Sequence, residues 1–148
     1  MRIYILVIVT LLISIAESKS CEPITVPMCK DISYTMTQFP NSLGHTSQEE
    51  AGIDLYHLDP FVEVNCSEDL KEFICALYVP KCDPNEVGTD LVLPSQELCQ
   101  RARDGCERLM NLYGFYWPDK MKCENIHGKH SLLFNYFHQY YKQNNLIS

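Results

Sequence analysis

The sequence predicts a mostly α, compact, disulfide-rich helical domain with a short β element near its N-terminus. Three observations carry that prediction. Eight cysteines all follow an N-terminal apolar leader; three stretches with apolar residues at helical spacing each begin at a serine; and a breaker-rich arm separates leader from helices.

The leader comes first. Arg2 precedes an apolar run from Ile3 to Ile15, and the small residues Ala16 and Ser18 follow. Such a charged start, short apolar core and small-residue end is the pattern of a secretory signal peptide, here residues 1–18, with cleavage expected near Ser18 or Ser20. The run falls short of the ~20 apolar residues of a membrane helix, although a retained signal anchor is the alternative reading. About 130 residues remain beyond Ser18, enough for one domain. No later stretch has the length and apolarity of a membrane span, so the mature chain is expected to be secreted, extracellular and without one. Arg2 and Glu17 cancel, and the net charge of −7 stays with the mature part. That charge argues against nucleic acid and heparin as partners.

Cys21, Cys29, Cys66, Cys75, Cys82, Cys99, Cys106 and Cys123 are even in number and lie in a chain marked for export, so disulfides are expected. A metal site is the competing reading, but no two cysteines have the close spacing of a zinc knuckle. Spacing alone leaves roughly a hundred possible connectivities open.

The arm Pro23-Ile24-Thr25-Val26-Pro27 is rich in breakers and β-branched residues and reads as a short strand. Ser47-Gln48-Glu49-Glu50 has the form of a capping box, followed by Ala51, Leu55 and Leu58 at helical spacing. That helix is expected to run from about Gln48 to the Pro60 region, where it kinks or stops. Ser67, with Glu68 and Asp69, reads as the start of a second helix, whose apolar face is Leu70, Phe73, Ile74, Leu77 and Tyr78 and whose end is Pro80. A surface loop from Asp83 to Leu93 ends at Pro94. Ser95 reads as the cap of a third helix, with Cys99, Ala102, Cys106, Leu109 and Tyr113 along one face and Gly114 as terminator. Residues 126–148 form an aromatic-rich tail with Phe134, Tyr136, Phe137, Tyr140 and Tyr141, either a covering helix or a partner surface.

Several segments in order resemble the Frizzled cysteine-rich domain, as found in Frizzled receptors and secreted Frizzled-related proteins. They are Cys21-Glu-Pro-Ile-Thr-Val-Pro-Met-Cys29, Phe39-Pro40-Asn41, Pro60-Phe61-Val62-Glu63 and Phe73-Ile-Cys-Ala-Leu-Tyr-Val-Pro-Lys-Cys82. The Cys99 to Cys106 helix and Tyr113-Gly-Phe-Tyr-Trp-Pro118 complete the set. The resemblance places a Frizzled-like domain at 19–125. It implies the pairs Cys21–Cys82, Cys29–Cys75, Cys66–Cys106 and Cys99–Cys123. The family's fifth pair is missing here, because Ser95 stands at one of its cysteines and none follows Cys123.

The resemblance also implies a function: binding Wnt-type lipid-modified secreted proteins through an apolar groove for the acyl chain. Carried over position by position, the groove candidates are His57, Leu58, Pro60, Phe61, Val64, Met110 and Phe115. A second contact would use Val79, Pro80 and Lys81. Leu58 stands where the family commonly has an aromatic residue, and Asp59 where an apolar one is frequent. A soluble chain of this kind would act in Wnt signalling as a decoy. A carrier of free fatty acid or sterol, and a structural or adhesion module, are the alternatives.

No cofactor is implied and no enzyme is expected: there is no Gly-x-Ser-x-Gly turn and no Cys-Cys-x-x-His-Asp run. His127 and His130 read as surface histidines rather than metal ligands. Asn65-Cys66-Ser67 fits the N-glycosylation pattern.

Overall fold

The computed structural model describes residues 20–86 and 91–126. Two short strands and four helices follow one another there: β1 (Glu22–Pro23), β2 (Met36–Thr37), α1 (Gln48–Tyr56), α2 (Asp59–Glu63), α3 (Leu70–Tyr78) and α4 (Gln96–Leu112). The signal segment, the aromatic tail, His127 and His130 lie outside the described residues.

The β element is shorter than the arm suggests. β1 pairs antiparallel with β2, Glu22 opposite Thr37 and Pro23 opposite Met36. Pro27 then opens a 3-10 turn through Cys29, because its fixed φ suits a first helical position and its missing N–H is not needed there. On the far side of β2, Thr37 bridges Lys81, and the Cys82 N–H donates to the Met36 carbonyl at 3.0 Å. The segment after α3 is therefore stitched under the arm.

Each helix start follows from local chemistry. Ser47 is extended, and its Oγ accepts from the Glu50 N–H at 3.3 Å, while the Glu50 carboxylate reaches back to the N–H and hydroxyl of Thr46. Pro60 does not end this helix. α1 stops at Tyr56, His57 and Leu58 make a turn, and Pro60 sits in the first turn of α2, where a proline is tolerated. Asp59 opens α2, so its charge lies at the favourable end of the helix dipole.

Ser67 sits two residues before the cap position: its Oγ accepts from the Asp69 N–H, and α3 begins at Leu70. The apolar face of α3 is wholly interior, with Leu70, Phe73, Ile74, Leu77 and Tyr78 at most 2 % exposed. Ser95 caps α4 by accepting from Leu98 N–H at 3.1 Å, so the position that lacks the family's cysteine is used to start a helix. The buried stripe of α4 is Cys99, Ala102, Cys106 and Met110, not the expected run through Leu109 to Tyr113. A spacing of 3-4-3-4 averages less than the ~3.6 residues of a straight turn, so the seam drifts onto Met110 and leaves Tyr113 outside.

Four disulfides close this core: Cys21–Cys82, Cys29–Cys75, Cys66–Cys106 and Cys99–Cys123. Trp117 completes it, stacked on Phe73 with centroids 5.9 Å apart and donating to the Met121 carbonyl. Gly105 on α4 marks a close approach, where an added Cβ would lie 2.7 Å from Ser67 Cβ and 2.8 Å from the Cys66 carbonyl oxygen. Helix propensity alone favours alanine over glycine by about 1 kcal/mol. The clash reverses that sign, and Gly105→Ala is expected to destabilise the domain by roughly 1–3 kcal/mol in urea denaturation; an unchanged or raised midpoint would contradict the packing described.

Candidate functional site

The site is built where two helices end. α2 closes in a Schellman turn: Cys66 N–H donates to the Phe61 carbonyl, Asn65 N–H donates to that of Val62, and Asn65 takes a left-handed φ of 50°. α4 closes the same way, with Phe115 N–H on the Met110 carbonyl at 2.9 Å, Gly114 N–H on Asn111, and Gly114 at φ 78°. This turn returns the residue after the left-handed position to the last turn of its own helix. Phe115 is thereby brought back toward Met110, and Cys66 toward Phe61.

The Cys66–Cys106 bond, with Cα atoms 5.0 Å apart, ties the end of α2 to the body of α4, less than two turns before that helix ends. Phe61 and Phe115 consequently meet edge to face, centroids 5.4 Å apart and planes at 76°. Cys106 and Met110 lie one turn apart on the interior face of α4, so disulfide and methionine share the same seam.

The seven groove candidates divide into two classes. Leu58, Phe61 and Met110 are buried, at 7 %, 6 % and 2 % exposure, as members of one hydrophobic core, and are the candidates for an apolar floor. His57, Pro60, Val64 and Phe115 are exposed, with Val64 at 63 % and Phe115 at 51 %. Phe115 meets Phe61 ring to ring and Met110 through the backbone; the other four are carried by the α1–α2 turn and α2. Leu112, Tyr113 and Tyr116 add exposed apolar surface around the end of α4.

The three residues of the second contact are placed unequally. Val79 and Pro80 are fully interior, because the α3 exit is pulled beneath the strands and Val79 offers its carbonyl to the Tyr34 hydroxyl at 2.9 Å. Only Lys81 of that trio presents its side chain to solvent.

A concavity of about 690 Å³ was not foreseen from the sequence. It lies between the arm at Thr25, Val26 and Pro27 and the α1 face carrying Gly52, Ile53 and Tyr56, and His57 links it to the groove candidates. Gln48 holds the arm there: its amide donates to Glu22 and to the Pro23 carbonyl, and its oxygen accepts from Thr25 N–H at 2.7 Å. A signal existed, since Ile53 and Tyr56 are apolar yet lie off the buried stripe of Ala51 and Leu55.

A polar cluster fixes α1 behind the site. Asp54 is hydrogen-bonded to Lys120 and, at 3.0 Å, to His45 Nε2, and His45 stacks on Tyr78. The hydrogen bond from Lys120 holds the Asp54 carboxyl below the usual carboxylate range; partial desolvation opposes this and His45 assists it. A lowered folded-state pKa gives stabilisation that is complete above the unfolded value and is lost as pH falls through the folded one. Unfolded Asp titrates near pH 4, so stability of the wild-type chain is expected to drop below about pH 4, and less steeply in Asp54→Asn. Parallel denaturation midpoints for the two chains across that range would contradict a role for this contact.

The Fz domain family model matches residues 21–130. Among solved structures, a Smoothened cysteine-rich domain is 32% identical, covering 74% of this chain and 91% of that chain, with a TM-score of 0.53. The xenopus Smoothened cysteine-rich domain in complex with cyclopamine is 31% identical over 72% of this chain and 91% of that chain, TM-score 0.52. Its apo form is 29% identical over 72% and 87% respectively, TM-score 0.50.

Proposed function

Because the chain belongs to the Fz domain family of non-catalytic binding modules, we propose that it binds Wnt-type lipid-modified proteins outside the cell, taking their acyl chain on the surface formed by the ends of α2 and α4. The observation that supports this reading is the edge-to-face contact of Phe61 with Phe115, with buried Phe61 and Met110 as an apolar floor, half-exposed Phe115 over Phe61 and exposed Val64 at the end of the same helix as Phe61. An acyl chain offers only methylene surface. Each CH₂ removed from water contributes about 0.8 kcal/mol, so ten of them supply on the order of 8 kcal/mol before ordering costs. Met110 suits the task because its unbranched thioether reshapes at little cost while the floor opens.

Specificity would come from the rim. His57, Pro60 and Val64 border the floor, while Leu58 and Asp59 replace bulkier apolar groups of the family and narrow the surface that grips the chain. Exported under its signal segment, the chain acts as a soluble decoy and lowers free ligand by mass action. Among the described residues no helix is long and apolar enough to cross a membrane. The test is capture of a Wnt-type protein from conditioned medium by the purified mature chain; absence of capture at micromolar chain would overturn the proposal.

The complex of the xenopus Smoothened domain with cyclopamine favours a second reading, a carrier of sterol or free fatty acid. Native mass spectrometry of the secreted chain separates the two. A persistent small lipid mass supports the carrier, and a lipid-free chain that captures the acylated protein supports the decoy.

A further inference from the structure

We infer that Asn65 is an N-glycan acceptor and that its glycan stands at the edge of the apolar site. Asn65-Cys66-Ser67 is the one Asn-x-Ser/Thr triplet of the chain, and its middle residue is not proline. Asn65 is solvent-exposed, in the left-handed turn that ends α2. It directly follows Val64, which is 63 % exposed, and lies four residues after Phe61, the ring under Phe115. The first sugars therefore leave the surface beside the floor of the proposed site.

The folded surroundings do not forbid the modification. Cys66 bonds to a cysteine 40 residues further along, so during export residues 65–67 emerge before their partner and are free to extend. Ser67 later turns inward, accepting from Asp69 N–H and donating to the Arg101 carbonyl, whereas Asn65 stays outward. In the reaction the Asn65 side-chain nitrogen attacks the anomeric carbon of a polyprenyl-diphosphate-linked oligosaccharide. The new N–C bond forms as the C–O bond to diphosphate breaks, the diphosphate leaves with that electron pair, and the nitrogen gives up one proton.

Asparagine is also tolerated at a left-handed position for purely local reasons, so the variants are chosen to separate the two roles. Asn65→Gly keeps the turn and removes the acceptor. Ser67→Thr keeps both hydroxyl and triplet. Chain secreted from a glycosylating cell is expected to shift in mobility on treatment with peptide N-glycosidase, leaving Asp at 65 in the mapped peptide. Ser67→Thr is expected to shift likewise, and Asn65→Gly not at all. Secreted wild-type chain with an unmodified Asn65 peptide would overturn the assignment.

The position of the glycan has its own readout, binding of an apolar fluorescent dye. Trimmed chain and Asn65→Gly are expected to bind more dye than the glycosylated chain; equal binding by all three would overturn the placement at the site. That placement rests on the function proposed above, but neither measurement uses its ligand, so failure here leaves that function standing.

Discussion

Replacing Cys66 and Cys106 together by serine is expected to cost about 4 kcal/mol of stability and to abolish ligand capture. The stability term follows from the bond's closure of a 40-residue separation, which in the chain-entropy picture is worth roughly that amount. The loss of binding follows from geometry. This bond holds the end of α2 against α4, and Gly105 next to Cys106 allows a close approach between the segments. Without it, the Phe61–Phe115 contact has no fixed separation. Cys21–Cys82 provides the comparison, since it spans a longer separation of 61 residues but joins the arm to the α3 exit and touches neither α2 nor α4. Its double serine variant is expected to lose a similar 4 kcal/mol or so while the refolded fraction still captures ligand. Urea denaturation and capture, run on both variants, check the pair; loss of capture in both alike would show that the site depends on global stability and not on this bond.

Phe115→Glu is expected to lower ligand affinity by about a hundredfold while reducing stability by only about 1 kcal/mol. Burying a phenylalanine side chain contributes roughly 1.5–3 kcal/mol, and each 1.4 kcal/mol or so is a factor of ten. A carboxylate facing an acyl chain adds the cost of its own desolvation. The folded chain suffers less, because Phe115 is half-exposed and the Schellman turn that carries it uses backbone groups of Met110, Asn111 and Gly114. Titration calorimetry or surface binding, alongside denaturation, separates the two effects. An affinity within threefold of wild type, roughly 0.7 kcal/mol, would remove Phe115 from the site.

Much of the fold was legible because its signals are local. Ser47 and Ser95 announce helix starts through their own hydroxyls, and the stripe of α3 is interior throughout. The cysteines marked the chain as disulfide-bonded, although the pairing entered only through family resemblance. What was misjudged depended on contacts between distant segments. Pro60 looks like a terminator until the turn at His57 and Leu58 is known to precede it. Val79 and Pro80 stand among the second-contact candidates, yet both are interior, with Tyr34, more than forty residues earlier, donating to the Val79 carbonyl.

The site divides along the same line. Family resemblance named its residues, but the distinction between floor and rim depends on how α2 and α4 meet. Leu58, Phe61 and Met110 are buried there, whereas Pro60, Val64 and Phe115 are exposed. The concavity beside Ile53 and Tyr56 was missed because one wall of it belongs to the arm, which is held in place by the side chain of Gln48.

The most direct measurement compares one Wnt-type ligand in two forms, acylated and enzymatically deacylated, on immobilised mature chain at matched concentration. The account predicts tight capture of the acylated form and loss of most of that affinity on deacylation, with Phe115→Glu reducing the first and leaving the residual second unchanged. Equal affinity for the two forms would contradict it.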